Sequence, residues 1–204
     1  MEEFKPRPLK LYKALKLSYE PNENKRKKIL KRFGYRLDTD LSTPERLVAY
    51  NPFNKQILYA SRGTNLRSGT HVFDNKDIQT DILLGSGGLT QTKRFEEEKN
   101  TLLKARKKYN EDKVVFVAHS LGGGIINQLP QREQDKVYTY NAPILKKKVG
   151  GGQQKHLRTA GDIFSVANPA AQTLPNPNPL SANIGSYLLK AHELANLQNQ
   201  PIFV

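Results

Sequence analysis

The chain has 204 residues, no cysteine, and 33 lysines and arginines against 19 aspartates and glutamates, a formal charge of +14. That length accommodates one domain with a substantial core, and the lack of cysteine excludes disulfides and thiolate metal sites. The basic excess favours anionic partners (nucleic acid, an acidic membrane face or an acidic capsid neighbour) and excludes nothing about fold or chemistry.

The opening residues Met1 to Pro6 carry no cationic stretch followed by an apolar one, so no cleavable signal is expected. No apolar run approaches a membrane span. The expected location is cytoplasmic or virion-associated, with any lipid met from the aqueous side. Residues 1–22 are basic and punctuated by proline, and Leu9, Leu11, Tyr12, Leu15 and Leu17 mark a short amphipathic piece. Lys25 to Gly34 predicts a helix, with Ile29, Leu30 and Phe33 on one face and Gly34 as its stop. Six of the eight residues 25–32 are basic. They read first as a solvated helix face, and no aromatic residues are interleaved for stacking on bases, which argues against nucleic acid. Residues 1–33 are therefore taken as a basic N-terminal arm and helix packed on the core, and 34–204 as the main domain.

Arg46 to Tyr50 and Gln56 to Ala60 are β-rich runs around the turn residues 51–55, a predicted hairpin. Its second strand runs into Ser61-Arg62-Gly63-Thr64. Irregular residues follow to about Lys76, then a short strand near Ile78 to Leu84 and the Gly-rich loop Gly85 to Gly88. That loop lacks the Gly-Lys-Ser/Thr ending of a phosphate cradle, so nucleotide binding has little support. Thr92 to Tyr109 predicts a helix: Phe95, Leu102 and Tyr109 recur every seven residues, with Leu103 and Ala105 broadening the stripe. Glu96-Glu97-Glu98 lie in the first turns and Lys104, Arg106, Lys107 and Lys108 near the last, as the helix dipole favours.

Val114-Val115-Phe116-Val117 then runs into Ala118-His119-Ser120-Leu121-Gly122-Gly123-Gly124. A continuous apolar run reads as a buried parallel strand, and the small residues permit a sharp strand-to-helix turn. Such a turn holds a serine in a strained conformation with its hydroxyl exposed and the next backbone N–H unpaired, a nucleophile elbow. The pentapeptide is a weak signal alone; the strand before it and the glycines after it strengthen it. A short helix (Ile125, Ile126, Leu129) stops at Pro130. Lys136 to Asn141 is the next strand, closed by Ala142-Pro143. A loop rich in lysine and glycine (Lys146 to Gly152) leads to a strand around His156 to Ala160, then Gly161-Asp162. Four of the twelve prolines fall between Pro169 and Pro179, which excludes helix and central strand there. Tyr187 to Leu197 is a last apolar segment. Strands alternating with helices predict an α/β-hydrolase-like fold, a mostly parallel sheet with helices on both faces.

A serine needs a base, and an imidazole base needs an acid to orient it; on the elbow fold the order is Ser, acid, His. After Ser120 the acids are Glu133, Asp135, Asp162 and Glu193. Glu133 and Asp135 precede a strand, at the end of the sheet opposite the elbow, and Glu193 adjoins the remaining histidine. Asp162 lies just beyond a strand, at the elbow end. His119 neighbours the serine and should point away from it, His156 lies on the strand before the acid, and His71 precedes the elbow. His192 remains as the base. The oxyanion needs preorganised donors: the N–H of Leu121, and Thr64 after the Arg-Gly turn.

Taken together, Arg62-Gly63-Thr64, Asp77 and Asp81, Ala118 to Gly123, and Tyr138 to Pro143 resemble the class 3 lipase family of α/β-hydrolases over residues 34 to 194. The resemblance implies Ser120 as nucleophile, Asp162 and His192 as its partners, and Thr64 as an oxyanion donor. It further implies hydrolysis of lipid carboxylic esters without a metal or cofactor, and a lid over Asn65 to about Lys76. Ala118 stands where the family usually has glycine, the chain is too short for a large lid, and the basic arm lies outside the match. Compact proteins of this kind also resemble some encoded by DNA viruses. The expected substrate is a lipid or acyl ester; the charge suggests a phospholipid and peripheral contact with an anionic membrane, and a neutral triacylglycerol or short acyl ester is equally allowed. The rival from another class is a hydrolase-like binding module whose basic surface takes nucleic acid or a partner. Peptidase or acyltransferase chemistry on the same serine stays open, as does the oligomeric state.

Overall fold

A computed structural model of the protein describes residues 6–63, 93–110, 113–143, 152–160, 162, 165, 170–176 and 193–204. The expected strand near 78–84, the loop 85–88 and the lid at 65–76 lie outside these residues. Among the described residues seven strands form one sheet in chain order: β1 (Arg36–Leu37), β2 (Arg46–Asn51), β3 (Gln56–Ser61), β4 (Val114–His119), β5 (Lys136–Tyr140), β6 (Gln153–Thr159) and β7 (Ala171–Leu174). β1 to β3 pair antiparallel, and β3 to β7 pair parallel. The helices are α1 (Leu11–Ser18), α2 (Glu23–Lys31), α3 (Lys93–Tyr109) and α4 (Leu121–Gln128), with a 3₁₀ turn at Leu194–Leu197. The fold is therefore α/β with a mostly parallel sheet, as the alternation of elements predicts.

Side chains alternate across a strand, so the continuous apolar run of β4 feeds two cores at once. Val115 and Val117 join Leu47, Ala49, Leu58 and Ala60 under α1, α2 and the 3₁₀ turn. Val114, Phe116 and Ala118 join Val48, Ile57 and Tyr59 under α3 and α4. The connections β3–α3–β4 and β4–α4–β5 each advance one strand in the same direction. Right-handed crossovers then put both helices on one face, which leaves the other face for the N-terminal helices. Leu9, Leu11, Ala14, Leu15 and Leu17 are buried there beside the sheet. At about 1.5–3 kcal/mol per fully buried aliphatic side chain, they are a large share of that core. The N-terminal segment is also tied to the other end of the chain, with Leu11 N–H donating to Ile202 O at 2.8 Å and Val204 N–H to Leu9 O at 2.9 Å.

Helix α2 starts two residues before the predicted helix because Asn22 caps it, its Oδ1 accepting from Lys25 N–H at 2.9 Å. Gly34 follows at φ 80°, as a helix-stopping glycine should. Strand β6 begins earlier than the predicted His156, since its ladder to β5 starts at Gln153. β7 lies between Pro169 and Pro175 and was not foreseen; it is an edge strand, where flanking prolines are tolerated. β1, two residues long, was not foreseen either.

The edge where β4 and β5 begin is held by Asp135, which is fully buried. Its carboxylate accepts from Val114 N–H at 2.9 Å, Arg132 N–H at 2.7 Å and the Arg106 guanidinium at 2.5 Å. Asp135 is thus a structural staple at the edge opposite the elbow, as its position before a strand predicts.

Candidate active site

β4 ends at His119, α4 begins at Leu121, and the whole reversal falls on Ser120, with φ 52° and ψ −130°. A non-glycine residue with positive φ is held there only when its surroundings over-determine it. Here they do. Ser120 N–H donates to Tyr140 O at 3.0 Å, and Ser120 O accepts from Gly123 N–H at 2.8 Å, opening the helix. The glycines that follow let α4 lie directly on the strand ends. A Cβ on Gly122 would lie 2.4 Å from Ser61 O and 2.7 Å from Arg62 O, and one on Gly123 would lie 2.5 Å from the Ala142 Cβ. Leu121, the first residue of α4, has its N–H among those that a helix start leaves without an intrahelical partner.

The end of β3 continues alongside the elbow. A Cβ on Gly63 would lie 2.6 Å from the Ser120 Cβ and 3.0 Å from His119 O, so only a glycine permits this approach. Gly63 N–H donates to the hydroxyl of Tyr19, just past α1, at 2.8 Å. The same hydroxyl lies 2.7 Å from His119 Nδ1 in a second hydrogen bond. His119 is thus held against Tyr19, and its ring stacks on Tyr140 at 5.8 Å. Burial pushes the Tyr19 phenol up to about 12, so it is neutral through the physiological range. On the other face Arg94, in the first turn of α3, donates to Arg62 O at 2.5 Å and to Ser61 Oγ at 3.3 Å. Beneath it Glu98 is fully buried; its carboxylate accepts from Tyr59 at 2.6 Å and Ser61 at 3.0 Å, with Arg46 and Arg94 each 3.8 Å away.

Asp162 lies past the end of β6, two strands from the elbow, and is buried. Its N–H donates to Thr159 O at 3.1 Å, and its carboxylate accepts from Ser165 N–H at 3.2 Å and from the Ser165 hydroxyl. Two strand spacings of about 4.8 Å put roughly 10 Å between the two strand lines, a gap of the order an imidazole fills with a hydrogen bond at each nitrogen. Ser120, Leu121 and Asp162 thus share one edge of the sheet. His192 and Thr64 lie outside the described residues. The residue next to each is described: Gly63 abuts Ser120, and Glu193 O accepts from the Tyr140 hydroxyl at 3.4 Å. Burial pushes the Tyr140 phenol up to about 12, against its hydrogen bonds to Thr159 and Asn141, with the Asp162 charge adding to the rise.

Tyr19, Arg94 and Glu98 were not singled out in the sequence. Arg94 and Glu98 at helical i, i+4 spacing were visible as a pair, but not that the pair turns inward. Tyr19 carries no local signal, since its partners are 44 and 100 residues away in sequence. His156 is held by Thr139 at 2.7 Å and Gln154 at 3.0 Å within the sheet, away from the elbow turn. Among the described residues no three histidine, aspartate or glutamate side chains gather as a metal site, and no helix is long and apolar enough to cross a membrane.

No family model and no curated protein matches the chain. Among solved structures it is similar to a triacylglycerol lipase from Penicillium expansum, with 13% identity and a TM-score of 0.42 over 82% of this chain and 79% of that one. It is also similar to a mutant of MDLA from Penicillium cyclopium, with 14% identity and a TM-score of 0.41 over 85% and 79% of the two chains. These are distant likenesses of fold, and no residue role passes from them to this chain.

Proposed function

We propose that the protein is a serine hydrolase of class 3 lipase type, cleaving carboxylic esters of lipids through an acyl-enzyme. The observation that carries this reading is the backbone of Ser120, at φ 52° between a buried parallel strand and a glycine-packed helix. Positive φ alone also occurs at Lys55 in the β2–β3 turn, but Ser120 couples it to a ψ of −130°, far from the left-handed helical well, and strain of that kind collects at functional sites. In this reading His192 takes the Ser120 proton as Oγ attacks the ester carbonyl carbon. The carbonyl oxygen, now anionic, is held by Leu121 N–H and Thr64. The intermediate collapses as His192 delivers that proton to the departing alcohol, which leaves an acyl group on Ser120. Water, deprotonated by His192, attacks the acyl carbon and releases the acid and free serine. Asp162 orients the imidazole. Support for His192 comes from Glu193, whose carbonyl meets Tyr140 between the serine and the acid.

A fluorophosphonate probe should label Ser120, and Ser120→Ala should abolish both labelling and turnover of a p-nitrophenyl acyl ester. Turnover that survives Ser120→Ala would overturn the reading. For the substrate we favour esters at an anionic lipid surface, on the strength of the exposed Lys13, Lys16, Lys28, Lys31 and Arg32. Vesicle binding should then strengthen with anionic lipid and weaken with salt. The same basic residues support the second reading, a hydrolase-like module that binds nucleic acid or a partner. Steeply salt-dependent RNA or DNA affinity in a protein without esterase activity would favour it.

A further inference from the structure

The Arg62–Gly63 peptide group sits beside the elbow, and both of its polar atoms are taken by side chains from outside the strand. Its carbonyl oxygen accepts from Arg94, 2.5 Å away on α3. Its N–H donates to the Tyr19 hydroxyl, 2.8 Å away past α1. The two helices lie on opposite faces of the sheet, so the peptide is gripped from both sides. Each grip is itself anchored. Tyr19 is tied to His119, the residue before the nucleophile, at 2.7 Å, and its ring lies 6.0 Å from the Arg62 guanidinium. Arg94 is backed by the buried Glu98 and by Ser61. A peptide group has one rotational freedom that matters here, its tilt about the line joining its α-carbons. Holding the oxygen on one side and the N–H on the other fixes that tilt.

From this we infer that Tyr19 and Arg94 are positioning residues that jointly lock the Arg62–Gly63 peptide, the seat against which Ser120 and the start of α4 rest. The inference rests on the serine-hydrolase reading, in which Ser120 is the nucleophile and Leu121 N–H an oxyanion donor. Oxyanion donors act over a few tenths of an ångström, and they act on charge that develops only in the transition state. A loosened peptide therefore lowers kcat and leaves KM alone. Because both side chains hold one rigid group, removing either releases it, and removing both adds little. A general structural role predicts otherwise: loss of stability, or independent losses that multiply.

The test is a double-mutant cycle with Tyr19→Phe and Arg94→Gln in the full chain, read on a p-nitrophenyl acyl ester, on a trifluoromethyl ketone that mimics the oxyanion, and on thermal melting. Tyr19→Phe keeps the ring and removes the hydroxyl; Arg94→Gln leaves Glu98 its bonds to Tyr59 and Ser61. Each variant should lose about 10-fold in kcat, a part of what a whole donor contributes, with KM within about twofold. Ketone affinity should fall in parallel, and the double variant should lose hardly more than the worse single one. Unchanged kcat, a loss in KM alone, or multiplied losses would overturn the clamp while leaving the hydrolase reading standing, provided Ser120→Ala is inactive. If one variant fails to fold, the other carries the kcat-against-KM comparison alone. If the unmodified protein neither turns over the ester nor labels at Ser120, the hydrolase reading falls and takes the clamp with it.

Discussion

Gly122→Ala separates catalysis from stability at a single methyl. The added Cβ would lie 2.4 Å from Ser61 O and 2.7 Å from Arg62 O, both backbone atoms of the strand on which α4 rests. Ordinary contact begins near 3.4 Å, so the start of α4 must withdraw by about 1 Å. Overpacking of that kind costs about 1–3 kcal/mol, while replacing glycine inside a helix returns up to about 1 kcal/mol. The net loss of stability should then lie between about 0 and 3 kcal/mol. Catalysis has no such compensation. Leu121 N–H moves with the helix, and a donor or nucleophile displaced by about 1 Å costs about 10²-fold in rate. Urea unfolding and ester turnover measured on the same preparation check this. A folded Gly122→Ala protein with unaltered kcat would refute the claim that helix-on-strand contact sets the site.

Three further outcomes follow from the geometry. Ser120→Gly should be more stable than Ser120→Ala by about 1 kcal/mol in urea, because glycine tolerates positive φ and alanine does not, and both should be inactive. Asp135→Ala should cost about 3–5 kcal/mol in the same assay, since it strips the Val114 N–H and a buried guanidinium of their carboxylate. Burial pushes the Glu98 carboxyl above its ordinary 4.5, against the hydrogen bond from Tyr59 and the charges of Arg46 and Arg94. The folded protein then holds that proton to higher pH than the unfolded chain does, so Glu98's contribution is most favourable below the ordinary value and is lost as pH rises through the raised one. Unfolding midpoints of the parent and Glu98→Gln, compared between about pH 4 and 7, should differ with that slope; a constant difference would count against it.

What was legible in the sequence is what local pattern encodes. The buried β4 shows as an unbroken apolar run because both of its faces are covered, and α3 shows through a seven-residue repeat. The elbow shows because its glycines are demanded by close approach to β3 and β5. The edge elements β1 and β7 did not show, being two and four residues long with mixed exposure. Their existence depends on a neighbouring strand rather than on their own composition. The acids Glu96, Glu97 and Glu98 read alike as favourable first-turn charges, yet Glu98 alone turns under the sheet and is fully buried. Its partners Tyr59, Ser61 and Arg46 lie far away in sequence, so nothing nearby distinguishes it from its neighbours. Tyr19 is hidden for the same reason.

Buried carboxylates show how the two edges of one sheet divide the work. Asp135, where β4 and β5 begin, takes donors from β4, from α3 and from Arg132 in its own loop, and a group so held is fixed in place. Asp162, at the other edge, takes its described donors from Ser165, three residues along its own loop. A carboxylate tied to two remote elements as well as to its own loop locks a fold. In the proposed hydrolase it is Asp162, oriented by Ser165, that would direct the imidazole. Glu98 stands between these cases: it is buried like Asp135, yet through Ser61 and Arg94 its bonds lead to the peptide beside Ser120. If the proposed hydrolase reading holds, its catalytic geometry depends on the core beneath β3 as much as on the residues at the edge. A change at Glu98 should reach kcat through Arg94 before it reaches the acid or the nucleophile.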